Sequence, residues 1–137
     1  MSEDLASVAA LKGVIPYINV DGAMAAADFY KRAFGADEVM RMPAEDGKRL
    51  MHCLLRINDG PMMLSDTFPE HGHGFQPSHS FTLQLVVEDA QPWWDRAVAA
   101  GCEIVTPLQV MFWGDRWGQL RDPYKVNWAI NAPVRKS

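Results

Sequence analysis

The sequence predicts an α+β fold made of two βαβββ modules, and three observations support this prediction. Two helical segments each follow a β-rich run and an aspartate, and they end at Gly35 and Gly101. The segments carry similar runs at the same place, FYKRA at 29–33 and WWDRA at 93–97, which indicates an internal repeat. Stretches of β-type residues follow both helices, and a helix needs one apolar sheet face to cover.

The repeat also predicts how the chain is divided. We expect a single domain over residues 1–137, with module one at about 13–66 and module two at about 80–133. The connection between them, 67–79, is rich in Gly and Pro and has no periodicity. A length of 137 residues is enough to bury one core, and it leaves no room for a second domain.

Composition and charge argue against several functional classes. Hydrophobic residues make up 48% and charged residues 22%, close to ordinary globular usage, so disorder is not indicated. A net charge of -4, with 13 scattered Lys and Arg residues, predicts neither nucleic acid nor an anionic membrane surface as a partner. No apolar run is long enough to span a bilayer, and the acidic N-terminus lacks the basic region of a signal peptide. A cytoplasmic location is predicted, and the lone Cys53 and Cys102 suit a reducing compartment as small buried hydrophobes.

The first module begins with a β-rich run at 14–20. Asp21 and Gly22 then provide an N-cap and a break. Apolar residues recur at helical spacing across Ala23–Phe34, and Gly35 follows as the residue that ends the helix.

Three further strands should complete this module. They are expected around 37–42, at 49–57 and at 61–66, with Asn58-Asp59-Gly60 as a hairpin turn between the last two. On the middle strand of these three, alternation predicts two faces. The face packed on the helix should carry Met51, Cys53, Leu55 and Ile57, and the opposite face Leu50, His52, Leu54 and Arg56.

The second module repeats this order. Residues 80–87 alternate as a half-buried strand, and Asp89 caps a helix that ends at Gly101. A strand at 103–106 is expected to stop at Pro107.

The stretch Met111–Trp128 has the composition of a shaped site, because it combines three Trp, two Gly and a Pro with several charged residues. Asp122-Pro123 predicts a turn, and alternation beyond it predicts a strand. Residues 113–116 should form a structured loop before them. The stretch therefore predicts strand, turn, strand.

The pattern FWGDRWGxLRDPY in this stretch, with the upstream run PYINVDGAMAAADFYKRAFGA, resembles the PhnB-type branch of the vicinal oxygen chelate superfamily. That superfamily includes glyoxalase I, bleomycin-resistance proteins and extradiol dioxygenases. The resemblance runs from about Gly13 to Pro133. It implies paired modules whose sheets form an open, curved barrel around a concave cavity, and it implies a homodimer. The family pattern has Gly at the position of Lys125, where a non-Gly residue with positive φ is uncommon.

If the apolar strand faces pack on the helices, the opposite faces line this cavity with a mostly apolar surface and a few polar groups. A small-molecule pocket has this character. The predicted ligand-binding residues are Tyr17, Asn19, His52, Gln84, Trp113, Asp115, Arg116 and Asn127, with the group 113–116 at the mouth. His52 is the candidate catalytic base, although a structural role is commoner for such a histidine.

No catalytic metal is expected in the cavity. Metal-dependent relatives place their ligands on the first, fourth, fifth and eighth strands, and the resemblance aligns these positions with Ile15, Met63, Thr82 and Ala129. None of these side chains is an imidazole or a carboxylate, the donors that zinc, nickel and iron require.

Three further histidines, His71, His73 and His79, lie close together in the connection. They have no ordered carboxylate beside them, which favours a mobile loop or lid over a metal site. The chain also lacks the glycine loops that bind nucleotide or dinucleotide cofactors, so no cofactor is predicted.

Three functions remain open. The first is binding of a small organic molecule, with or without turnover, in a metal-free cavity. The second is a metal-dependent lyase, isomerase or dioxygenase of the glyoxalase kind. The third is a resistance protein that sequesters an antibiotic by shape and aromatic stacking.

Overall fold

The computed structural model describes residues 11–134. Contacts divide the chain into two units. Unit one runs to residue 76 except for Arg32–Phe34, and unit two contains Arg32–Phe34 and the residues from Pro77 onward. The boundary between residues 76 and 77 falls inside the connection predicted at 67–79, and the single domain stays a prediction.

Unit one contains the first helix, apart from its last three residues Arg32–Phe34, and a four-stranded sheet. Its elements are β1 (Tyr17–Val20), α1 (Ala23–Phe34), β2 (Asp37–Pro43), β3 (Leu50–Ile57) and β4 (Gly60–Asp66). The strand order is β1-β4-β3-β2, in which β1 and β4 are parallel and the other pairs antiparallel.

Unit two repeats this arrangement. Its elements are β5 (Leu83–Val86), α2 (Ala90–Ala100), β6 (Glu103–Val110), β7 (Asp115–Arg121) and β8 (Asn127–Pro133). The order is β5-β8-β7-β6, and β5 and β8 form the parallel pair. Two open mixed sheets, each with one helix, confirm the predicted α+β fold of two βαβββ modules. Within residues 11–134, no helix is both long enough and apolar enough to cross a membrane.

Helix α1 has the predicted bounds, but its first turn is stabilised in another way than expected. Gly22 is the N-cap residue, and no side chain at the cap accepts a hydrogen bond. Instead Asp66, buried at the end of β4, accepts hydrogen bonds from the N–H groups of Gly22 (2.8 Å) and Ala23 (3.0 Å) with Oδ1. Its Oδ2 accepts from the N–H of Leu50 at 2.7 Å. One carboxylate thus joins α1, β3 and β4, and the predicted capping by Asp21 is wrong.

Helix α2 follows the prediction at both ends. The side chain of Asp89 accepts a hydrogen bond from the N–H of Gln91 at 3.4 Å, and Gly101 ends the helix. This cap lies within two residues of its donor, which is why the sequence pattern revealed it.

Strand β1 is shorter than the run of β-type residues that predicted it. It begins at Tyr17 rather than Val14, which is almost fully exposed. Tyr17 pairs with Met63, so the same register two residues earlier would bring Ile15 to Pro61. Pro61 has no N–H to donate, so the ladder cannot continue there.

Strand β6 continues to Val110, whereas the sequence pattern predicted that it would end at Pro107. Thr106 pairs with Gln119 and Gln109 with Trp117, so two residues of β6 stand opposite Gly118 alone. This is a β-bulge, where the missing N–H of proline costs no ladder hydrogen bond. A Cβ at Gly118 would lie 2.9 Å from Leu108 Cα and 2.5 Å from the Trp94 ring, so only glycine fits opposite the bulge.

Both hairpin turns form where they were predicted. Asn58 and Asp59 have φ of 50° and 65°, the conformation of a type I′ turn. In the other turn, Asp122 accepts hydrogen bonds from the N–H groups of Tyr124 and Val126, and Lys125 adopts φ 73°. The turn therefore forms although lysine occupies a position whose backbone conformation favours glycine.

Candidate functional site

A cavity of about 1290 Å³ lies in unit one, where β1 and β4 end and β3 begins. The strands contribute Asn19, Met51, Ser65 and Asp66 to its wall. Residues 44–46 and the segment Thr67–Gln76 enclose it from the sides. Met51, which alternation had assigned to the helix-packed face, is more than half exposed and borders this space instead.

Arg49 connects two sides of the cavity. Its Nε donates to Asp46 Oδ2 at 2.7 Å, and its Nη1 and Nη2 donate to the two carboxylate oxygens of Glu70 at 3.0 and 2.6 Å. The guanidinium carbon also lies 4.4 Å from the centroid of the Phe68 ring. We call Asp46, Arg49, Phe68 and Glu70 the Arg49 cluster.

The two carboxylates of the Arg49 cluster are strongly acidic. Hydrogen bonds from the backbone N–H groups of Lys48 and Arg49, together with the Arg49 side chain, lower the pKa of Asp46 to about 2. The bidentate hydrogen bond from Arg49 lowers the pKa of Glu70 to about 2 as well. Both groups are therefore ionised at neutral pH.

The segment Thr67–Gln76 has local structure of its own. The N–H of Thr67 donates to the carbonyl of Val20, Phe68 and His73 form an isolated β-bridge, and Pro69–His71 is a short 3-10 helix. The sequence had predicted a loop or lid here, without these contacts. His71 and His73 line the cavity, and no three His, Cys, Asp or Glu residues between 11 and 134 lie close enough together to hold a metal ion.

The predicted ligand-binding residues of unit one lie on one face of its sheet. The Tyr17 hydroxyl is 3.2 Å from His52 Nδ1, and Asn19 Nδ2 donates to Ser65 Oγ at 2.8 Å. Of these predicted residues, Asn19 lines the cavity, while Tyr17 and His52 lie beyond its wall on the same sheet.

Four of the predicted residues in unit two have polar partners on their own sheet or lie beside an aromatic ring. Gln84 accepts from the indole N–H of Trp117 at 3.2 Å, and the buried Asn127 accepts from Arg121 Nε at 2.9 Å. Asp115 Oδ2 accepts from Asn131 Nδ2 at 3.2 Å. The ring of Trp113, about half exposed, lies edge to face with Trp117.

Arg116 does not join them. The register pairs Asp115 with Pro133 and Arg116 with Ala132, so adjacent positions on β7 face opposite sides of the sheet. Arg116 Nη2 donates to Gln91 Oε1 at 2.8 Å, at the start of α2. The expected group of Trp113, Asp115 and Arg116 at one cavity mouth is therefore not formed.

Both cysteines are free and buried, as predicted. Burial raises the pKa of the Cys53 thiol to about 11 and that of Cys102 to about 12. Thiols in this state are poor nucleophiles at neutral pH, so neither cysteine is a candidate for covalent chemistry.

Sequence reasoning missed the residues that shape the cavity most, Arg49 and Phe68. Arg49 follows a turn and precedes a strand, where a charged residue is common. Its partner Glu70 is 21 positions away, inside a connection without periodicity. A long-range ion pair of this kind leaves no local pattern.

Comparisons with known proteins agree with this fold. An uncharacterized protein of Mycobacterium bovis is 40% identical over 127 residues, covering 88% of this chain and 83% of its own. A PhnB protein from Bacillus cereus, described as a putative 3-demethylubiquinone-9 3-methyltransferase, superposes with a TM-score of 0.70 at 20% identity, over 88% of this chain and 99% of that one. The fosfomycin resistance protein FosX from Listeria monocytogenes superposes with a TM-score of 0.71 at 13% identity, over 90% and 95% of the two chains. A further crystal of FosX contains Mn(II) and a sulfate ion.

The two solved structures share the fold with this chain. At such low sequence identity, this similarity shows a common fold and no common activity. The sequence itself goes further, because residues 8–130 match the family model of the Glyoxalase/Bleomycin resistance protein/Dioxygenase superfamily. That match spans most of the chain, and the chain therefore belongs to this superfamily.

Proposed function

We propose that this protein is a PhnB-like member of the superfamily that binds a small organic molecule in the unit-one cavity, without a resident metal. The observation that carries the proposal is the cavity itself, whose volume of about 1290 Å³ can hold a drug-sized molecule. Its wall combines the apolar groups Met51 and Phe68 with the polar Asn19 and Ser65. A wall of this kind can exclude water from a ligand and also orient it.

The PhnB-like assignment is supported by two features. The run from Phe112 to Tyr124 carries the pattern that resembles this branch, and the PhnB protein from Bacillus cereus has the same fold. Unit two carries Gln84, Asp115 and Asn127 on one sheet face with Trp113 beside it, and we propose these four residues as contacts for a ligand on that face rather than in the unit-one cavity. In unit one, Asn19 is the proposed contact in the cavity wall. Tyr17 and His52 lie beyond that wall on the same sheet face, and we keep them as the proposed contact and base for a molecule that extends along this face.

The metal-free reading is supported by the chemistry of the side chains on the sheets. The positions that the resemblance aligns with metal ligands include Met63, Thr82 and Ala129, which offer a thioether, a hydroxyl and a methyl group. Divalent ions such as zinc and iron prefer imidazole and carboxylate donors.

A metal-dependent activity is the second candidate, because FosX, which has the same fold, was crystallised with Mn(II). Elemental analysis of protein purified without a His-tag distinguishes the two. We expect substoichiometric zinc, nickel, manganese and iron. Near-stoichiometric metal, whose removal by a chelator abolishes ligand binding or turnover, would establish the second candidate instead.

The proposed binding is tested by native mass spectrometry of protein purified from cells, with Gly74→Trp as the blocking variant. Gly74 lines the cavity, and a Cβ there meets no atom within 4 Å, so a side chain at this position starts in open space at the cavity wall. We expect a co-purified small molecule in the wild-type protein and in Gly74→Ala, and its loss in Gly74→Trp. Equal retention in all three proteins would contradict binding in this cavity. Incubation of the identified molecule with the protein, followed by mass spectrometry, separates turnover from sequestration.

We also propose that the protein is a cytoplasmic homodimer. The two free, buried thiols suit a reducing compartment. The edge strands β2 and β6 expose apolar side chains, among them Met42, Ile104 and Val110, which a partner subunit would cover. Light scattering at micromolar protein should give twice the mass of the chain, and a monomer mass would contradict the dimer.

A further inference from the structure

The charges around the unit-one cavity are unequal. Four carboxylates line it, from Glu45, Asp46, Asp66 and Glu70, and Arg49 is the sole Lys or Arg residue in the described part of its wall. Counting only the Asp, Glu, Lys and Arg side chains, the wall carries an excess of three negative charges. These charges surround one concave space, so they act together on a ligand that enters it.

Arg49 is not available to bind an anion. Three of its nitrogen atoms donate to carboxylate oxygens of Asp46 and Glu70, and the Phe68 ring lies against the guanidinium group. A phosphonate, phosphate or carboxylate ligand would have to displace one of these carboxylates, both of which hold their proton only at low pH.

The carboxylates differ in what they can still accept. Asp66 accepts three backbone N–H groups, and Asp46 and Glu70 are engaged by Arg49. Glu45 is exposed, lines the cavity, and has no cation within ion-pair distance among residues 11–134. A positively charged group in the cavity can therefore pair with Glu45 without breaking an existing interaction.

Beyond the proposed function, on which this step rests, we propose that the cavity selects an organic cation, an apolar molecule that carries an ammonium or amidinium group. The apolar part of the molecule would lie against the side chains of Met51 and Phe68, and its cationic group would lie beside Glu45. The cavity combines these two kinds of surface, and the excess of negative charge attracts a cation, repels an anion and leaves a neutral molecule of the same shape without either effect.

The test uses three probes that share one ring system and differ in charge: naphthylmethylammonium, naphthylmethanol and naphthoate. Binding to the full chain is followed by titration of the amide NMR shifts of residues 67–76. We expect the ammonium probe to bind at least about 10-fold more tightly than naphthoate. Its advantage should shrink as salt is raised, because the attraction is electrostatic.

A matched pair of variants locates the charge. Glu45→Gln should weaken ammonium binding by about 2- to 5-fold, the effect of one partly exposed ion pair, and leave naphthylmethanol binding unchanged. Glu88→Gln removes the same charge from an exposed position outside the cavity wall, so it should change neither.

The outcomes separate the two levels of the proposal. If naphthylmethanol or naphthoate binds as tightly as the ammonium probe, or if Glu45→Gln and Glu88→Gln act alike, the charge selectivity is wrong and the cavity still binds ligands. If no probe gives a saturable shift and Gly74→Trp retains the same co-purified molecule as the wild type, the proposed cavity function fails, and this inference fails with it.

Discussion

Each helix follows the first strand of its unit, but the first turns of the two helices are stabilised in different ways. In unit two, Asp89 caps α2 from the adjacent position with a long hydrogen bond of 3.4 Å from the N–H of Gln91. In unit one, the cap is the buried carboxylate of Asp66, 43 positions beyond Ala23, which accepts three backbone hydrogen bonds of 2.7 to 3.0 Å. The first turn of a helix can thus be stabilised by a neighbouring residue or by a residue of the completed sheet. Only a cap from a neighbouring residue can be predicted from the sequence.

The largest expected effect compares these two carboxylates directly. Asp66→Ala leaves three backbone N–H groups in a buried region without their acceptor, so it should lower the free energy of unfolding by about 3 kcal/mol or more. Asp89→Ala removes one partly exposed cap and should cost about 1 kcal/mol. Urea denaturation measures both. Equal losses would mean that the two helix starts are energetically alike, contrary to the comparison.

A smaller effect compares the two hairpin turns. Asn58 and Asp59 are residue types that tolerate positive φ, whereas Lys125 at φ 73° is not. Lys125→Gly should therefore raise the free energy of unfolding by up to about 1 kcal/mol. This is the net effect, because relief of the backbone strain exceeds the cost of the greater freedom of glycine in the unfolded chain. Lys125→Ala keeps the strained backbone and serves as the control. Thermal denaturation of both variants decides whether the backbone, rather than the lysine side chain, is responsible.

The Arg49 cluster should make the segment Phe68–His73 of unit one respond to acid. Asp46 and Glu70 have folded pKa values of about 2, below their ordinary values of 3.8 and 4.5. A carboxylate whose pKa is lower in the folded than in the unfolded protein stabilises the folded state fully at a pH above the ordinary pKa. This stabilisation is lost as the pH falls toward 2. Hydrogen-exchange protection factors, which divide out the intrinsic pH dependence of exchange, should therefore stay high at Phe68–His73 at pH 5 and fall between about pH 4 and pH 2.

Arg49→Gln provides the matched variant. It should speed exchange in the same segment at pH 5 and leave the amides of β7 and β8 unchanged. Acceleration spread evenly over both units would indicate global destabilisation and would contradict a local role for the Arg49 cluster.

The cysteines should show the smallest difference between the units. Cys53 and Cys102 lie in different units, and burial raises the thiol pKa to about 11 and about 12. Iodoacetamide at neutral pH should modify both slowly in the folded protein and rapidly in urea. Fast modification of one cysteine alone would reveal that its unit opens more readily than the other.

The sequence predicted the elements whose signals are local. Helix α1 has the bounds that its apolar spacing gave, and α2 lies between Asp89 and Gly101 as its caps indicated. The turn residues Asn58-Asp59-Gly60 marked the hairpin of unit one for the same reason. Each of these signals is complete within a few residues of chain.

The features that were missed depend on residues far apart in the sequence. Asp66 acts on Gly22 and Leu50, and Arg49 on Glu70, so neither role could be read from its neighbours. The position of Arg116 was misjudged for another reason. A loop was expected at 113–116, while strand β7 begins at Asp115 and turns adjacent side chains to opposite faces.

Gly118 restricts how this protein can change over evolutionary time. Any other residue there meets the Trp94 ring and the backbone of Leu108, so a smaller side chain at position 94 would relieve only one of the two collisions. Release of position 118 would also require removal of the extra residue in β6, a deletion rather than a substitution. We therefore expect the bulge at Pro107 and the glycine opposite it to change together, if they change at all.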